Sequence, residues 1–150
     1  MADMDQLHEM FAVLTPEMRV NLEPVRSSLY QDIAESYDGF HQHALIAAHR
    51  FDRDWDSWEM HPQGDEVVVL LTGSATMLLR LEGGDQTETL ASPGDFTVVP
   101  KGTWHTARVN EPCSLLFITP GENTPHAAQP GAPLPGVAMV LWHSRSLDQW

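Results

Sequence analysis

The chain is short of cysteine, lysine and long apolar runs, and each shortage closes off a class of protein. Among its 150 residues Cys113 is the only cysteine, so no intrachain disulfide can form. A lone thiol fits a reducing compartment, and the expected location is cytoplasmic. Lys101 is the only lysine, and with seven arginines it faces 21 acidic side chains, for a formal net charge of −13. Such a surface repels nucleic-acid phosphates and anionic lipid, both of which need a basic patch that this chain lacks. No stretch approaches the roughly eighteen uninterrupted apolar residues of a membrane-spanning helix, and the opening "MADMDQLHEM" has neither the basic nor the apolar part of a secretion signal. Serine-hydrolase elbows, phosphate-cradling glycine loops and CxxC pairs are missing as well.

What remains reads as a single globular unit: 42% hydrophobic residues at a length sufficient for a core without staples. In residues 1–40 the spacing of Leu7, Met10, Phe11 and Leu14, and of Leu29, Ile33 and Tyr37, predicts a helical lead-in, with Thr15-Pro16-Glu17 as a helix start. From residue 41 to 119 short β-type runs are broken by Gly, Pro and Asp about every ten residues, the pattern of an antiparallel sandwich or barrel. The expected strands are Ala44–Phe51, Trp55–His61, Glu66–Leu71, Ala75–Leu81, Thr87–Leu90, Phe96–Val99, His105–Val109 and Ser114–Thr119, with "EGGDQ" as a hairpin turn. Residues 120–136 hold five prolines and three glycines and are expected to form an irregular loop, a lid or strap over the barrel. Residues 137–150 then supply a returning strand, Val137–Trp142, and a tail packing on the barrel.

Two stretches carry chemistry. In "WEMHPQGDE" Glu59 and His61 are two apart, so a strand projects both to one face, and a hairpin would bring Glu66 to meet them. An acidic, solvated turn accounts for this stretch equally well by itself. The second stretch, "GDFTVVPKGTWH", places His105 after a Pro-Lys-Gly turn.

Together the two resemble the paired motifs of the cupin superfamily. The second motif is kept at Gly94, Pro100, Gly102 and His105, and departs where Val109 replaces its final asparagine. The first is kept at His61, Glu66 and Gly73, while Arg53 replaces its leading glycine and Glu59 its first histidine. The resemblance covers residues 53–109 and implies a small antiparallel jelly-roll β-barrel whose interior holds a divalent metal ion (Fe, Mn, Zn or Ni) on Glu59, His61, Glu66 and His105. It implies a protein acting on or binding a small organic molecule, with dioxygenase, isomerase and lyase chemistry open to it. A non-catalytic ligand-binding or regulatory module, with or without metal, is the alternative. Glu59 stands as a ligand, as a general base, or as the mark of a site that has lost its metal.

Met77, Leu79, Val68, Leu70, Phe96 and Val98 are the expected interior lining. Trp55, Trp58 and Trp104 are expected to face outward and, with the strand at 137–142, to support a homodimer. Outside the motifs, His41 and His43 read as surface groups or as residues backing the ligands, and His49 and His143 as structural ones, while His126 in the long loop could reach the barrel mouth. Arg80 and Arg108 read as solvent-exposed, and Cys113 as a small buried hydrophobe.

Overall fold

A computed structural model describes residues 6–127. It contains nine strands and one α-helix: β1 (Met10–Leu14), β2 (Val20–Pro24), α1 (Leu29–Ser36), β3 (Ala44–Phe51), β4 (Trp58–Glu59), β5 (Glu66–Leu81), β6 (Gly84–Leu90), β7 (Phe96–Val99), β8 (Trp104–Thr119) and β9 (His126–Ala127). Every pairing is antiparallel. The chain is an all-β jelly roll with one short helix. None of the described helices is long and apolar enough to cross a membrane.

The two sixteen-residue strands β5 and β8 make the curl. They pair along most of their length, but the register slips between Leu70 and Ala75, opposite Pro112 and Cys113. Gly73 sits at this slip with φ +81°. The bend splits both strands between two walls. One wall runs β2-β1-β3, the C-terminal half of β8, the N-terminal half of β5, then β7. The other contains β9, β4, the N-terminal half of β8, the C-terminal half of β5, and β6. Val68, Leu70, Met77, Leu115 and Phe117 fill the space between them.

The expected strands at 66–71 and 75–81, and at 105–109 and 114–119, are thus each one bent strand. The N-terminal segment departs further from expectation. Instead of a helical lead-in it forms the β1–β2 hairpin, because Phe11 and Val13 bury by alternation. Thr15-Pro16-Glu17 lies in the hairpin turn, where Arg19 N bonds the Thr15 hydroxyl and Met18 takes φ +64°. The α-helix of the segment is α1, followed by a 3-10 turn at Asp38–Phe40; the Leu29 and Ile33 of α1 pack with Phe11, Phe40, Leu45 and Ala47.

Phe96 and Val98 do not line the interior: they are 61% and 45% exposed, while Thr97 and Val99 are buried. The reason is register, since β7 pairs Val99 with inward-facing Glu66 and Thr97 with inward-facing Val68, and opposed residues share a face. Trp55 is likewise buried at 6% exposure, packed on Phe51 and Phe117: it lies four residues before Glu59 and so shares the parity of that inward-facing residue and not that of Trp58. Within the proline-rich loop, β9 forms a short bridge to β4. The strand expected at Val137–Trp142 lies outside the described residues.

Candidate metal centre

All four expected ligands converge. Glu59 on β4 lies directly opposite His105 on β8, and Glu66 opens β5. His61 follows β4, and its carbonyl accepts a hydrogen bond from Gly102 N at 2.9 Å. Gly102, at φ +77°, ends the Pro-Lys-Gly turn, and Asp65 accepts a second bond from Lys101 N at 2.7 Å. The spacing of the second stretch is therefore what clamps the first in place.

Each of the four side chains is buried, and one ligand atom from each lies within 4.8 Å of the others. His61 Nε2 stands 3.2 Å from Glu66 Oε2 and 3.8 Å from Glu59 Oε1. His105 Nε2 stands 3.2 Å from Glu66 Oε1 and 3.5 Å from Glu59 Oε1. Both ring nitrogens and Glu66 Oε1 are at ion-pair range, yet they make no hydrogen bond of acceptable angle among the described residues. Two donors each about 2.1 Å from one ion sit about 3.0 Å apart at a right angle and about 3.4 Å at the tetrahedral angle. The observed separations fit donors surrounding a common ion better than donors bonded to one another.

The surroundings orient these atoms. His61 Nδ1 lies 2.8 Å from Thr124 Oγ1, and Thr124 donates its own hydrogen to Gly121 O, so the imidazole must be the donor between them. His105 Nδ1 donates to Thr103 O at 3.0 Å. With both Nδ1 atoms carrying hydrogen, each Nε2 faces the cluster. Thr119 donates to Glu66 Oε2 at 2.6 Å and holds that carboxylate.

Electrostatics bind the group together. Burial alone would raise the Glu66 carboxyl, but His61 and His105 hold it well below the usual range. Burial alone would lower the His105 imidazole, but the Glu59 and Glu66 carboxylates hold it up, at about 10. Proton and metal ion are thus competitors for the same nitrogen.

His126, carried in by β9, approaches Glu59 Oε2 to 3.5 Å and does reach the site. His41 is exposed and contacts Glu122, and Arg80 is held at the surface by Asp85. Arg108 is exposed. Cys113 is buried, its thiol pushed up to about 11 by that burial. Thr119 and Thr124 escape a reading by motif. Thr119 shares its register with Glu66 only through the β5–β8 pairing, and Thr124 lies in a loop without periodicity.

A curled antiparallel jelly roll with a buried histidine–carboxylate cluster defines a small barrel-like fold carrying four ligand atoms that could hold a metal ion. Residues 53–119 match the family model described as the cupin domain. Solved structures similar to it include a cupin-2 domain containing protein from Shewanella frigidimarina, at 27% identity over 51% of this chain and 70% of that one, with a TM-score of 0.44. A protein from Neisseria meningitidis is 26% identical over 51% and 72%, with a TM-score of 0.41. A cupin superfamily protein from Desulfitobacterium hafniense is 26% identical over 51% and 65%, with a TM-score of 0.43. No curated protein matches the chain.

Proposed function

We propose that this chain is a metal-binding cupin whose Glu59, His61, Glu66 and His105 hold one divalent ion, and that its barrel takes a small organic molecule through an oxygen atom. The observation that supports this reading is the convergence of four buried ligand atoms within 4.8 Å. A bound divalent ion supplies Lewis acidity and a coordination position for an oxygen donor, the chemistry shared by the dioxygenase, isomerase and lyase classes. The chain's own residues set the conditions. Thr124 and Thr103 fix the histidine tautomers, Thr119 fixes Glu66, and Trp55, 6.3 Å from the His105 ring, excludes water from one side. Glu59, facing His126 across 3.5 Å, is placed to hold a proton on the atom turned from His61 and His105.

Protein purified without added metal is expected to carry close to one equivalent of a divalent transition ion by elemental analysis. Negligible metal, together with no uptake of Mn(II), Fe(II), Zn(II) or Ni(II) on titration, would sink the reading. Thr124→Val removes the acceptor that orients His61 and is expected to weaken metal binding by about 10–100-fold while leaving the fold intact. A metal affinity equal to wild type would remove Thr124 from the account.

The homodimer is proposed at a different surface from the tryptophans. On the outer face of the first wall, Leu22, Ala12, Ile46, Ile118, Val67 and Val98 follow one another across six strands in direct register. Phe96 extends this row, and none of these side chains is charged. In a chain of net charge −13 an uncharged row is where two copies can meet with least repulsion. Light scattering at micromolar concentration is expected to give twice the chain mass, and Phe96→Glu to halve it. A wild-type monomer would refute the dimer.

A further inference from the structure

The His-x-His of Phe40-His41-Gln42-His43 takes no part in the proposed metal centre. Its residues line a cleft of about 390 Å³ bounded by the β1–β2 turn, the turn that enters β3 and the segment that follows β8. None of the four proposed ligands reaches it. Glu122 is its one lining side chain with a formal charge. That side chain is only 18% exposed, and its described ion-pair partner is His41 Nδ1 at 3.1 Å, with no lysine or arginine of the described residues in range. In a chain of net charge −13, a carboxylate largely withdrawn from water beside an open cleft, without a fixed cation, suits a positive group from outside.

The two imidazoles add acceptors. His41 Nδ1 donates to Glu122 Oε1, and His43 Nδ1 donates to the His41 carbonyl at 2.7 Å. In an uncharged ring a committed Nδ1–H leaves Nε2 as a lone-pair acceptor, and no described residue bonds either Nε2. Tyr37 at 5.5 Å and Phe40 at 5.3 Å pack against the His43 ring.

The backbone around the cleft points the same way. Among the described residues five non-glycines take positive φ: Met18, Asp38, Phe40, Gln42 and Asn123. All five lie in the three segments that bound the cleft, and Met18, Phe40 and Gln42 line it. Asp and Asn tolerate the left-handed region, and the Phe40 ring is held by burial in the core. Met18, 75% exposed, and Gln42, also exposed, gain no such burial. Elsewhere Gly83, Gly94 and Gly102 meet the same backbone need without strain. Side chains kept at a conformational cost on the rim of a cleft are explained by a molecule that they contact.

We propose that this cleft is a binding site, separate from the metal centre, for a small organic amine. The ammonium group pairs with Glu122 and donates to an imidazole Nε2, and the apolar frame lies against Leu14, Met18 and Pro120. An anionic ligand meets repulsion from Glu122, and an uncharged one leaves that carboxylate without a counter-charge. The assignment does not rest on the metal reading above.

The probes are benzylamine, benzyl alcohol and benzoate, which share a ring and differ in charge. Each is titrated by NMR into the full chain carrying isotope-labelled methionine methyl groups, metal-free and Zn(II)-loaded, with the Met18 signal identified by Met18→Leu. Benzylamine is expected to move the Met18 signal saturably, with the same dissociation constant in both metal states. Benzyl alcohol and benzoate should bind at least about tenfold more weakly. Glu122→Gln, its fold checked by thermal midpoint, should bind benzylamine about tenfold more weakly than wild type, through loss of one charged hydrogen bond. An unmoved Met18 signal, equal binding of benzylamine and benzyl alcohol, wild-type affinity in Glu122→Gln, or benzylamine binding only with Zn(II) present would each overturn the assignment. Should Glu122→Gln fail to fold, the ranking of the three probes on wild type decides the question.

Discussion

His61→Ala is expected to leave purification with no more than about a tenth of the wild-type metal, and to bind added metal at least roughly a hundredfold more weakly, beyond what an outer hydrogen-bond partner alone is worth. The substitution removes the nitrogen that stands 3.2 Å from Glu66 and 3.8 Å from Glu59, together with the group whose Nδ1 ties the cluster to Thr124. A second consequence is independent of metal. Glu66 loses the neighbour most responsible for offsetting its burial, so its carboxyl rises toward or beyond the ordinary range. Breaking a buried charge contact costs about 3–5 kcal/mol. Metal-free His61→Ala should therefore unfold at lower denaturant than metal-free wild type, and His41→Ala, at an exposed position, should match wild type in both assays. Full metal occupancy in His61→Ala would remove His61 from the ligand set. If His61→Ala does not fold, His61→Gln, which keeps a buried polar group there, carries the metal measurement.

Gly73→Ala is expected to be the most destabilising glycine-to-alanine change among the described residues, at about 4 kcal/mol. Two penalties coincide at this residue. Its φ of +81° belongs to the left-handed region, and a Cβ placed there would stand 2.1 Å from the Pro112 carbonyl oxygen and 2.7 Å from Cys113 Cα. Neither neighbour is a flexible side-chain tip, so the β5–β8 crossing itself would have to open. That crossing is the bend that lets the two long strands serve both walls. Gly102→Ala offers the comparison, because its φ of +77° is similar but nothing lies within 4 Å of the added carbon. It should cost only the backbone strain, about 1–2 kcal/mol. Denaturant midpoints decide the matter: similar losses for the two variants would show that conformation, and not close approach, governs Gly73.

Much of this molecule was legible in one dimension. Ala44–Phe51 and Phe96–Val99 emerge as strands with the bounds read from composition and turn signals. Glu59, His61, Glu66 and His105 were legible because two spaced stretches agree with one family pattern, and the alternation that puts Glu59 and His61 on one face is local geometry. The N-terminal segment misleads because Leu7, Met10, Phe11 and Leu14 satisfy helical spacing, while the buried pair Phe11 and Val13 satisfies strand spacing. Only pairing of β1 with β3 selects between them.

The same distinction runs through the site. Alternation and turn chemistry settled that residues 41–119 are antiparallel strands of a sandwich or barrel, and the resemblance of two spaced stretches to one family pattern picked out four potential ligands, since both depend on near neighbours in the chain. Which face of β7 looks inward, that Thr119 and Thr124 brace the cluster, and that Tyr30 meets His49 were decided by strand register and by the packing of α1. Those contacts join residues 19 to 63 positions apart, and a spacing pattern carries no information about a partner that only the closed barrel brings near.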